Sequence, residues 1–361
     1  MMHYGDRYRI TIFGSSHGPE VGVTIEGIPA GTKLDLVAVQ LELDRRRPVG
    51  RRLATKRQEE DRLVIDRGVE GGFTDGSPLR AHVANQDVDR APYERLRDTP
   101  RPGHADYPAR VRFGASADLS GGGIFSGRMT VGLVIAGAVA AQILRPLGIQ
   151  SVAFTRSVAD VEATVPEGLS ADELRSRAAS NEVGCPDVSA AAQMEALIAA
   201  VRKSGDSVGG IVETRVFGTP TGLGEPFFDS VESSLAHLAF SVPAVKAIEF
   251  GAGFRAARMR GSEHNDAFGW EAGRVVTTTN HAGGILGGLA TGMPIVYRVV
   301  VKPTSSIARP QRTVDLRTGG TTEVTVTGRH DPCIVPRAVV VLESVGAIAM
   351  ADLALRGRYL R

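Results

Sequence analysis

The chain has 361 residues, of which 42% are hydrophobic and 23% are charged, as in an ordinary globular protein. Its 42 basic and 40 acidic residues leave a net charge of +2, so the overall charge does not indicate a polyanionic partner. The two cysteines, Cys185 and Cys333, are far apart and lack CxxC spacing, so the sequence implies no disulfide framework or cysteine zinc site and fits a reducing, cytoplasmic compartment.

The N-terminus contains no apolar segment of the kind found in a secretory signal. The longest apolar run, residues 129–144, is rich in Ala and Gly and is shorter than the ~20 residues that span a bilayer. We therefore predict a buried helix there and no association with a membrane.

The pattern of apolar and polar residues alternates between strand and helix periodicity along the chain. Alternation predicts strands over residues 7–14, 209–218, 295–302 and 322–328. Helical periodicity predicts helices from Ser170, with Glu173 completing a capping box, and over residues 193–203, 230–240 and 338–356. The chain shows no strict βαβ order and no GxGxxG after a strand, so we predict an α+β or layered α/β fold.

No Pro- or Ser-rich linker divides the sequence, so we predict one domain over residues 1–361. Residues 87–109, rich in Pro, Asp and Arg, read as one long loop. Loops of that length inside a compact protein tend to be functional.

Residues 45–57, RRRPVGRRLATKR, contain seven basic residues and no acidic one. Three interpretations stay open: a solvated or salt-bridged face with counter-charges from the QEED at 58–61, a nucleic-acid surface, and a site for an anionic small molecule. Near-neutral overall charge and few aromatics weaken the second. Arginine pairs bidentately with carboxylate and phosphate, which favours the third slightly.

Four histidines, His17, His104, His281 and His330, lie in glycine-containing polar loops. Because histidine titrates near neutral pH, this pattern suggests a shared proton-transfer site. The sequence has no HExxH or HxxxH pair, so we predict no metal site.

Two further segments are candidate anion cradles. In residues 121–130, a glycine-rich turn with Ser126 and Arg128 precedes the apolar helix, whose N-terminal N–H groups favour negative charge. In KPTSS, residues 302–306, a lysine ends a strand and small hydroxyl residues follow. Each segment alone also fits an ordinary polar turn.

Eight segments of this chain occur in the same order in the chorismate synthases: FGSSHGPEVGVTIEGIPAG, DRRRP, RPGHADY, SGR, GDSVGG, NHAGGILGG, KPTSSI and GRHDPCIVPRAVVVLES. The chain resembles that family from about residue 8 to 356. The resemblance implies central helices sandwiched between two antiparallel sheets, and a lyase of the shikimate pathway. The lyase would convert 5-enolpyruvylshikimate 3-phosphate to chorismate by 1,4-anti elimination of phosphate, with reduced FMN as cofactor.

The resemblance also implies roles for individual residues. His17 matches the histidine proposed as general acid at the departing phosphate, and His104 matches the one thought to protonate the reduced flavin. Asp331 matches the aspartate thought to act in removing the C6 hydrogen. Arg46, Arg52 and Arg128 fall at positions expected to bind substrate or NADPH.

The residues implied to contact FMN lie in two segments, 124–126 and 302–306, and at three single positions. They are Ile124, Phe125, Ser126, Ala244, Gly287, Lys302, Pro303, Thr304, Ser305, Ser306 and Arg329. Two places depart from the family: Ser15 replaces the usual Glu, and Ile124–Phe125 replace an Arg-Ser pair, which leaves fewer side-chain donors for the flavin. The expected assembly is a homotetramer, and the flavin is reduced either by the protein with NADPH or by an external flavin reductase.

Overall fold

The structure, a computed structural model, describes residues 2–47, 60–86, 95–114, 120–326 and 330–360. The helices in these residues are α1 (Leu36–Arg46), α2 (Asp106–Phe113), α3 (Thr130–Leu144), α4 (Ala171–Ala178), α5 (Val188–Lys203), α6 (Val231–Ser241), α7 (Gly261–His264) and α8 (Val335–Arg356). The strands are β1 (His3–Tyr4), β2 (Arg9–Gly14), β3 (Glu20–Glu26), β4 (Val64–Arg67), β5 (Val69–Glu70), β6 (Phe73–Thr74), β7 (Leu79–Ala84), β8 (Gln150–Val158), β9 (Val161–Glu162), β10 (Gly210–Phe217), β11 (Val245–Phe250), β12 (Phe268–Glu271), β13 (Arg274–Thr277), β14 (Ile285–Leu286), β15 (Leu289–Ala290), β16 (Ile295–Val301), β17 (Gln311–Val314) and β18 (Thr321–Val324).

Two five-stranded antiparallel sheets form the outer layers of the fold. The first sheet has the order β1-β2-β3-β7-β4, and the second has the order β11-β16-β10-β8-β9. In the central strand pair of the second sheet, Val212 lies opposite Val299 and both are fully buried. Each sheet therefore turns one apolar face inward, as alternating strands do when one side is covered.

Helices α3 and α8 lie between the two sheets. Helix α3 packs on β3 of the first sheet, α8 packs on β8 and β10 of the second, and the two helices pack on each other. Every residue of α3 except Ala141 is buried, because the helix carries no charge and can lose water on all sides. The prediction of central helices between two antiparallel sheets is confirmed.

A glycine allows the two central helices to approach closely. A Cβ placed on Gly137 of α3 would lie 2.3 Å from Cβ and 2.5 Å from Cα of Ser344 on α8. No side chain fits at that distance, so the crossing depends on glycine.

Two helical segments are long and apolar enough to cross a membrane by length and composition, Gly127–Leu147 and Val335–Arg356. In the apolar 18-residue stretch of each segment, 78% and 89% of the residues respectively are buried inside the protein. These segments contain the two central helices, α3 and α8, so their apolar character is accounted for by burial in the core.

The N-terminal segment is fastened to α8 by a buried carboxylate. Oδ1 of Asp352 accepts hydrogen bonds from the backbone N–H groups of Asp6, Arg7 and Tyr8 at 2.9, 2.7 and 2.8 Å. Asp352 is only 3% exposed, so these three bonds replace its hydration.

Most predicted elements are present, with three differences. The strand predicted over 322–328 is β18, which ends at Val324, and residues 327 and 328 lie outside the described residues. The capping box of Ser170 and Glu173 is confirmed. Helix α5 begins at Val188, before the predicted residue 193, because Asp187 caps it by accepting from Ser189 N and Ala190 N. Residues 87–94 of the loop predicted over 87–109 lie outside the described residues, and the prediction is wrong at its end, where α2 begins at Asp106.

Candidate active site

A cavity of about 590 Å³ lies at the end of the fold where both central helices begin. Thr130, the first residue of α3, and Ile334, which precedes α8, both line it. The N-terminus of a helix carries a partial positive charge. Two such ends at one cavity favour an anionic ligand.

The side chains in the cavity wall reinforce that preference. Six lining residues are basic and two are acidic, an excess of four positive charges. The basic residues are Arg46, Arg101, Arg128, Lys246, Lys302 and Arg337. The acidic ones are Asp61 and Asp331.

One corner of the cavity is built from two arginines that share a carboxylate. Asp61 accepts from Nη1 of Arg46 at 3.0 Å and from Nη1 of Arg128, and all three residues are buried. Nε of Arg46 donates to Thr130 Oγ1 at 3.1 Å, and Nε of Arg128 donates to Asn85 Oδ1 at 2.9 Å. Nη2 of Arg46 and Nη2 of Arg128 also donate to backbone carbonyls, those of Gly127 and Ala84, at 3.4 Å, so each guanidinium group is fixed at three points or more.

The neighbours of Arg46 in the basic run also pair with carboxylates. Arg45 binds Glu343 in a bidentate pair with two 3.0 Å bonds and also contacts Glu42, and Arg47 contacts Asp44 at 3.1 Å. In the described part of the run the salt-bridged interpretation therefore holds, with Arg46 facing the cavity as well. Residues 48–57, which include Arg52, lie outside the described residues.

His104 is held in the cavity wall by a carboxylate–guanidinium pair. Its Nδ1 lies 2.5 Å from Oδ1 of Asp106, and Asp106 also accepts from backbone N, Nε and Nη2 of Arg101 at 3.0, 2.7 and 2.7 Å. Nη1 of Arg101 donates to Ser306 Oγ at 3.1 Å. Burial raises the pKa of Asp106, but the hydrogen bonds from Arg101 and His104 outweigh it and hold that pKa well below its usual range.

The glycine-rich turn packs directly against two of the predicted catalytic histidines. Gly121 and Gly122 have φ of +60° and +91°, in the left-handed region that favours glycine. A Cβ on Gly121 would lie 1.9 Å from Cε1 of His17, and a Cβ on Gly122 would lie 3.4 Å from Nε2 of His104. Gly121 lines the cavity, so the buried His17 lies directly behind the cavity wall.

Asp331 also lines the cavity, in the segment that leads into α8. Nη1 of Arg337 donates to its Oδ2 at 2.6 Å, and Thr304 Oγ1 donates to its backbone carbonyl at 2.8 Å. Its neighbour His330 also lines the cavity, and burial, with Arg101 nearby, lowers the pKa of His330. Nε2 of His330 is buried without a hydrogen-bond partner among the residues that the structure describes.

The loop after β16 supplies hydroxyl and ammonium groups. Nζ of Lys302 donates to Ser305 Oγ at 2.9 Å, and Ser305 Oγ donates to the carbonyl of Gly103 at 2.6 Å. The backbone N of Lys302 donates to the carbonyl of Ala244 at 2.9 Å, which ties two predicted contact segments together. Burial, together with Lys246, lowers the pKa of Lys302.

Part of the cavity wall is apolar. Phe125 packs on Phe113 with ring centroids 6.1 Å apart. Ile124 of the glycine-rich turn also lines the cavity, and further apolar lining residues come from the end of α6, the segment leading into β11, and α8 with the residue before it: Phe240, Val242, Pro243, Ala244, Val245, Ile334, Ala338 and Val341. A flat apolar group therefore fits beside the charged corner.

Most of the residues singled out from the sequence lie in the wall of this cavity. They are Arg46, His104, Ile124, Phe125, Ser126, Arg128, Ala244, Lys302, Thr304, Ser305, Ser306 and Asp331. Four others, His17, His281, Gly287 and Pro303, are not lining residues: His17 lies behind Gly121, His281 lies between β13 and β14, and Gly287 lies in the β14–β15 turn. Of the four histidines predicted to share a site, His104 and His330 thus line the cavity and His281 does not. Arg52 and Arg329 lie outside the described residues.

Sequence reasoning missed four residues that organise the site: Asp61, Arg101, Asp106 and Arg337. Arg101 and Asp106 belong to the RPGHADY segment, and the two-residue spacing of His104 and Asp106 was the available signal. Asp61 belongs to the acidic group read only as counter-charge. No local pattern marked Arg337, because its partner Asp331 precedes α8 by a turn.

The fold and the site together define a layered α/β enzyme with a basic cavity for an anionic small molecule. The family model for chorismate synthase matches residues 8–355. A chorismate synthase of Korarchaeum cryptofilum is 48% identical over 353 residues, covering 98% of this chain and 97% of that protein. One of Thermococcus gammatolerans is 49% identical over 352 residues, covering 98% and 97%.

A solved structure described as the crystal structure of chorismate synthase has a similar fold. Its TM-score is 0.78 at 28% identity, and the match covers 98% of this chain and 93% of that one. The chain belongs to the chorismate synthase family, a family of lyases.

Proposed function

We propose that this protein is a chorismate synthase that acts on 5-enolpyruvylshikimate 3-phosphate with the help of reduced FMN. The reaction is a 1,4-anti elimination, in which the C6 hydrogen and the phosphate leave and chorismate forms. It belongs to the shikimate pathway and supplies aromatic amino acid biosynthesis. Family membership supports the activity, and the cavity supports the substrate class.

The observation that carries the proposal is the basic cavity with His104 and Asp331 in its wall. The substrate carries a phosphate and two carboxylates, and the lining provides four excess positive charges and two helix N-termini. The departing phosphate takes negative charge with it, so fixed guanidinium groups stabilise the transition state.

The residues present also fit a flavin mononucleotide. The apolar wall with Phe125 and Ala244 suits a flat ring system, and Lys302 and Ser305 suit a phosphate. The buried, unpartnered Nε2 of His330 in this wall is the kind of atom that a bound group would satisfy. When bound, reduced FMN supplies electron density to the substrate as phosphate leaves and recovers it afterwards.

The protein's own groups hold and move protons in this scheme. Asp106 accepts the Nδ1–H of His104, which leaves Nε2 to hold or release a proton on the cavity side. Arg337 holds Oδ2 of Asp331, so that Asp331 is oriented for its part in removing the C6 hydrogen. His17 would transfer a proton to the phosphate past the glycine backbone of Gly121.

The remaining family features extend the proposal to assembly and compartment. Large aromatic side chains, Phe227, Phe228, Phe254, Phe268 and Trp270, are more than two-thirds exposed, which supports a homotetramer. Gly287 does not line the cavity of its own chain, so in a homotetramer the expected contact with FMN would come from Gly287 of a neighbouring copy. The buried free thiols of Cys185 and Cys333 support a cytoplasmic location.

The test is anaerobic incubation of the protein with reduced FMN and 5-enolpyruvylshikimate 3-phosphate, with chorismate quantified. We expect turnover by the wild type and loss of turnover in His104→Ala and Asp331→Ala proteins that keep the wild-type circular dichroism spectrum. Wild-type turnover in both variants would refute the assigned roles.

The source of reduced flavin is tested separately. Aerobic incubation with NADPH and FMN, without an added reductase, yields chorismate if the protein reduces its own flavin. Chorismate only after addition of a flavin reductase assigns that step to an external partner.

A further inference from the structure

One carboxylate, that of Asp61, contacts two buried arginines in the charged corner of the cavity. It bonds Nη1 of Arg46 at 3.0 Å and Nη1 of Arg128, while side-chain exposure is 3% and 4% for the arginines and 1% for Asp61. The arginines come from α1 and from the turn before α3. The carboxylate is therefore the common anchor of two elements that are far apart in the sequence.

The backbone around Asp61 is built to hold this carboxylate in place. Asp61 has φ of +46°, in the left-handed region that is unfavourable for a residue with a side chain. Gln40 of α1 holds the backbone that follows this position: its Nε2 donates to the Asp61 carbonyl at 3.1 Å, and its Oε1 accepts from Leu63 N at 2.8 Å. Backbone strain of this kind persists where surrounding contacts hold it, often at functional sites.

We propose that Asp61 is a positioning residue for anion binding: it holds the guanidinium groups of Arg46 and Arg128 in the orientation that binds an anionic group of the ligand. Asp61 does not itself contact the anion, since carboxylate and anion repel. The proposal rests on the proposed function only in assigning that anion to the substrate.

Orientation and charge predict opposite effects for the loss of this carboxylate. Asp61→Asn removes one negative charge beside the anion, so charge alone would tighten binding. Without the shared carboxylate, however, the two like-charged guanidinium groups repel and lose their common anchor. A positioning role therefore predicts weaker anion binding. Whether the Kd rises or falls in Asp61→Asn distinguishes the positioning effect from the charge effect.

The experiment is calorimetric titration of the full-length protein with inorganic phosphate. Saturating oxidised FMN is present throughout, so that the added phosphate does not bind where the flavin phosphate binds. We expect Asp61→Asn to raise the Kd for phosphate by tenfold or more. In the anaerobic assay it should raise KM similarly and lower kcat to a smaller extent, because the same guanidinium groups also stabilise the departing phosphate. The control Asp66→Asn removes an exposed carboxylate that pairs with Arg80 and should leave the Kd unchanged.

A second variant covers the case in which Asp61→Asn does not fold. Asp61→Glu keeps the charge but moves the carboxylate by one methylene, so positioning again predicts a raised Kd in a folded protein. No phosphate binding by the wild type, or an unchanged or lower Kd in the folded variant, would overturn the proposal. Absence of wild-type turnover would instead refute the proposed function and leave the titration to decide the role of Asp61.

Discussion

Replacing Asp106 by asparagine tests how the site controls His104. The substitution keeps the size of the side chain but replaces one oxygen by an amide NH₂. In the wild type, one oxygen accepts from backbone N and Nε of Arg101, and the other accepts from Nη2 of Arg101 and Nδ1 of His104. An asparagine can serve only one of these two pairs as acceptor.

The expected fall in kcat follows from losing the hydrogen bond between His104 and the Asp106 carboxylate. We expect the asparagine to keep its oxygen at the position that accepts from backbone N and Nε of Arg101. Its NH₂ group then faces His104 and donates to Nδ1. A neutral imidazole then carries its proton on Nε2, the opposite of the wild-type arrangement. A charge-assisted hydrogen bond contributes about 1.5–3 kcal/mol, so we expect kcat to fall by about 10- to 100-fold at ~1.4 kcal/mol per tenfold.

The assay is steady-state anaerobic turnover of 5-enolpyruvylshikimate 3-phosphate with reduced FMN. Asp98→Asn is a matched control, because Asp98 pairs with Arg110 at 2.9 Å outside the cavity lining. We expect control turnover to equal that of the wild type. A folded Asp106→Asn protein with wild-type kcat would refute the claim that Asp106 orients His104.

Three further predictions concern stability. In Gly137→Ala the new Cβ lies 2.3 Å from Ser344, and this clash costs about 3 kcal/mol, while better helix propensity returns about 1 kcal/mol. Urea unfolding should therefore show that the free energy of unfolding falls by about 2 kcal/mol. The control Gly168→Ala, where the new Cβ meets open space, should change it by less than about 0.5 kcal/mol. Asp352→Ala leaves three backbone N–H groups without their acceptor and should lower the free energy of unfolding by about 3 kcal/mol, measured in the same way; a loss below about 1 kcal/mol would contradict the anchoring role. The pKa of Asp106 is lowered in the folded state, so the ionised carboxylate contributes its full stabilisation above the unfolded pKa of ~3.9 and loses it as the pH falls below that value. The difference in free energy of unfolding between wild type and Asp106→Asn should therefore narrow below about pH 4 and stay constant from about pH 5 to 7.

The layers of the fold were predictable from local patterns. The uncharged run at 129–144 indicated a helix buried on every side, and α3 is that helix. Alternation over 295–302 indicated a strand with one covered face, and β16 has that pattern. These patterns work because burial selects residues at a fixed period within a single element.

The side-chain pairs of the site were not predictable in the same way. Asp61 joins Arg46 to Arg128, and its contact with Arg128 spans 67 positions of sequence, which no local period encodes. The placement of His17 behind Gly121 likewise depends on how a β-hairpin packs against a turn that follows about a hundred residues later. The family resemblance marked His17 for function, and only the fold shows that a glycine backbone separates it from the cavity.

The account is tested most directly by the products of one anaerobic reaction of the wild-type protein with reduced FMN and 5-enolpyruvylshikimate 3-phosphate. The measurement is the amount of chorismate formed and of inorganic phosphate released over the same time course. We predict equal amounts of both, and neither product when oxidised FMN replaces the reduced form. Phosphate release without chorismate, or equal turnover with oxidised FMN, would contradict the account.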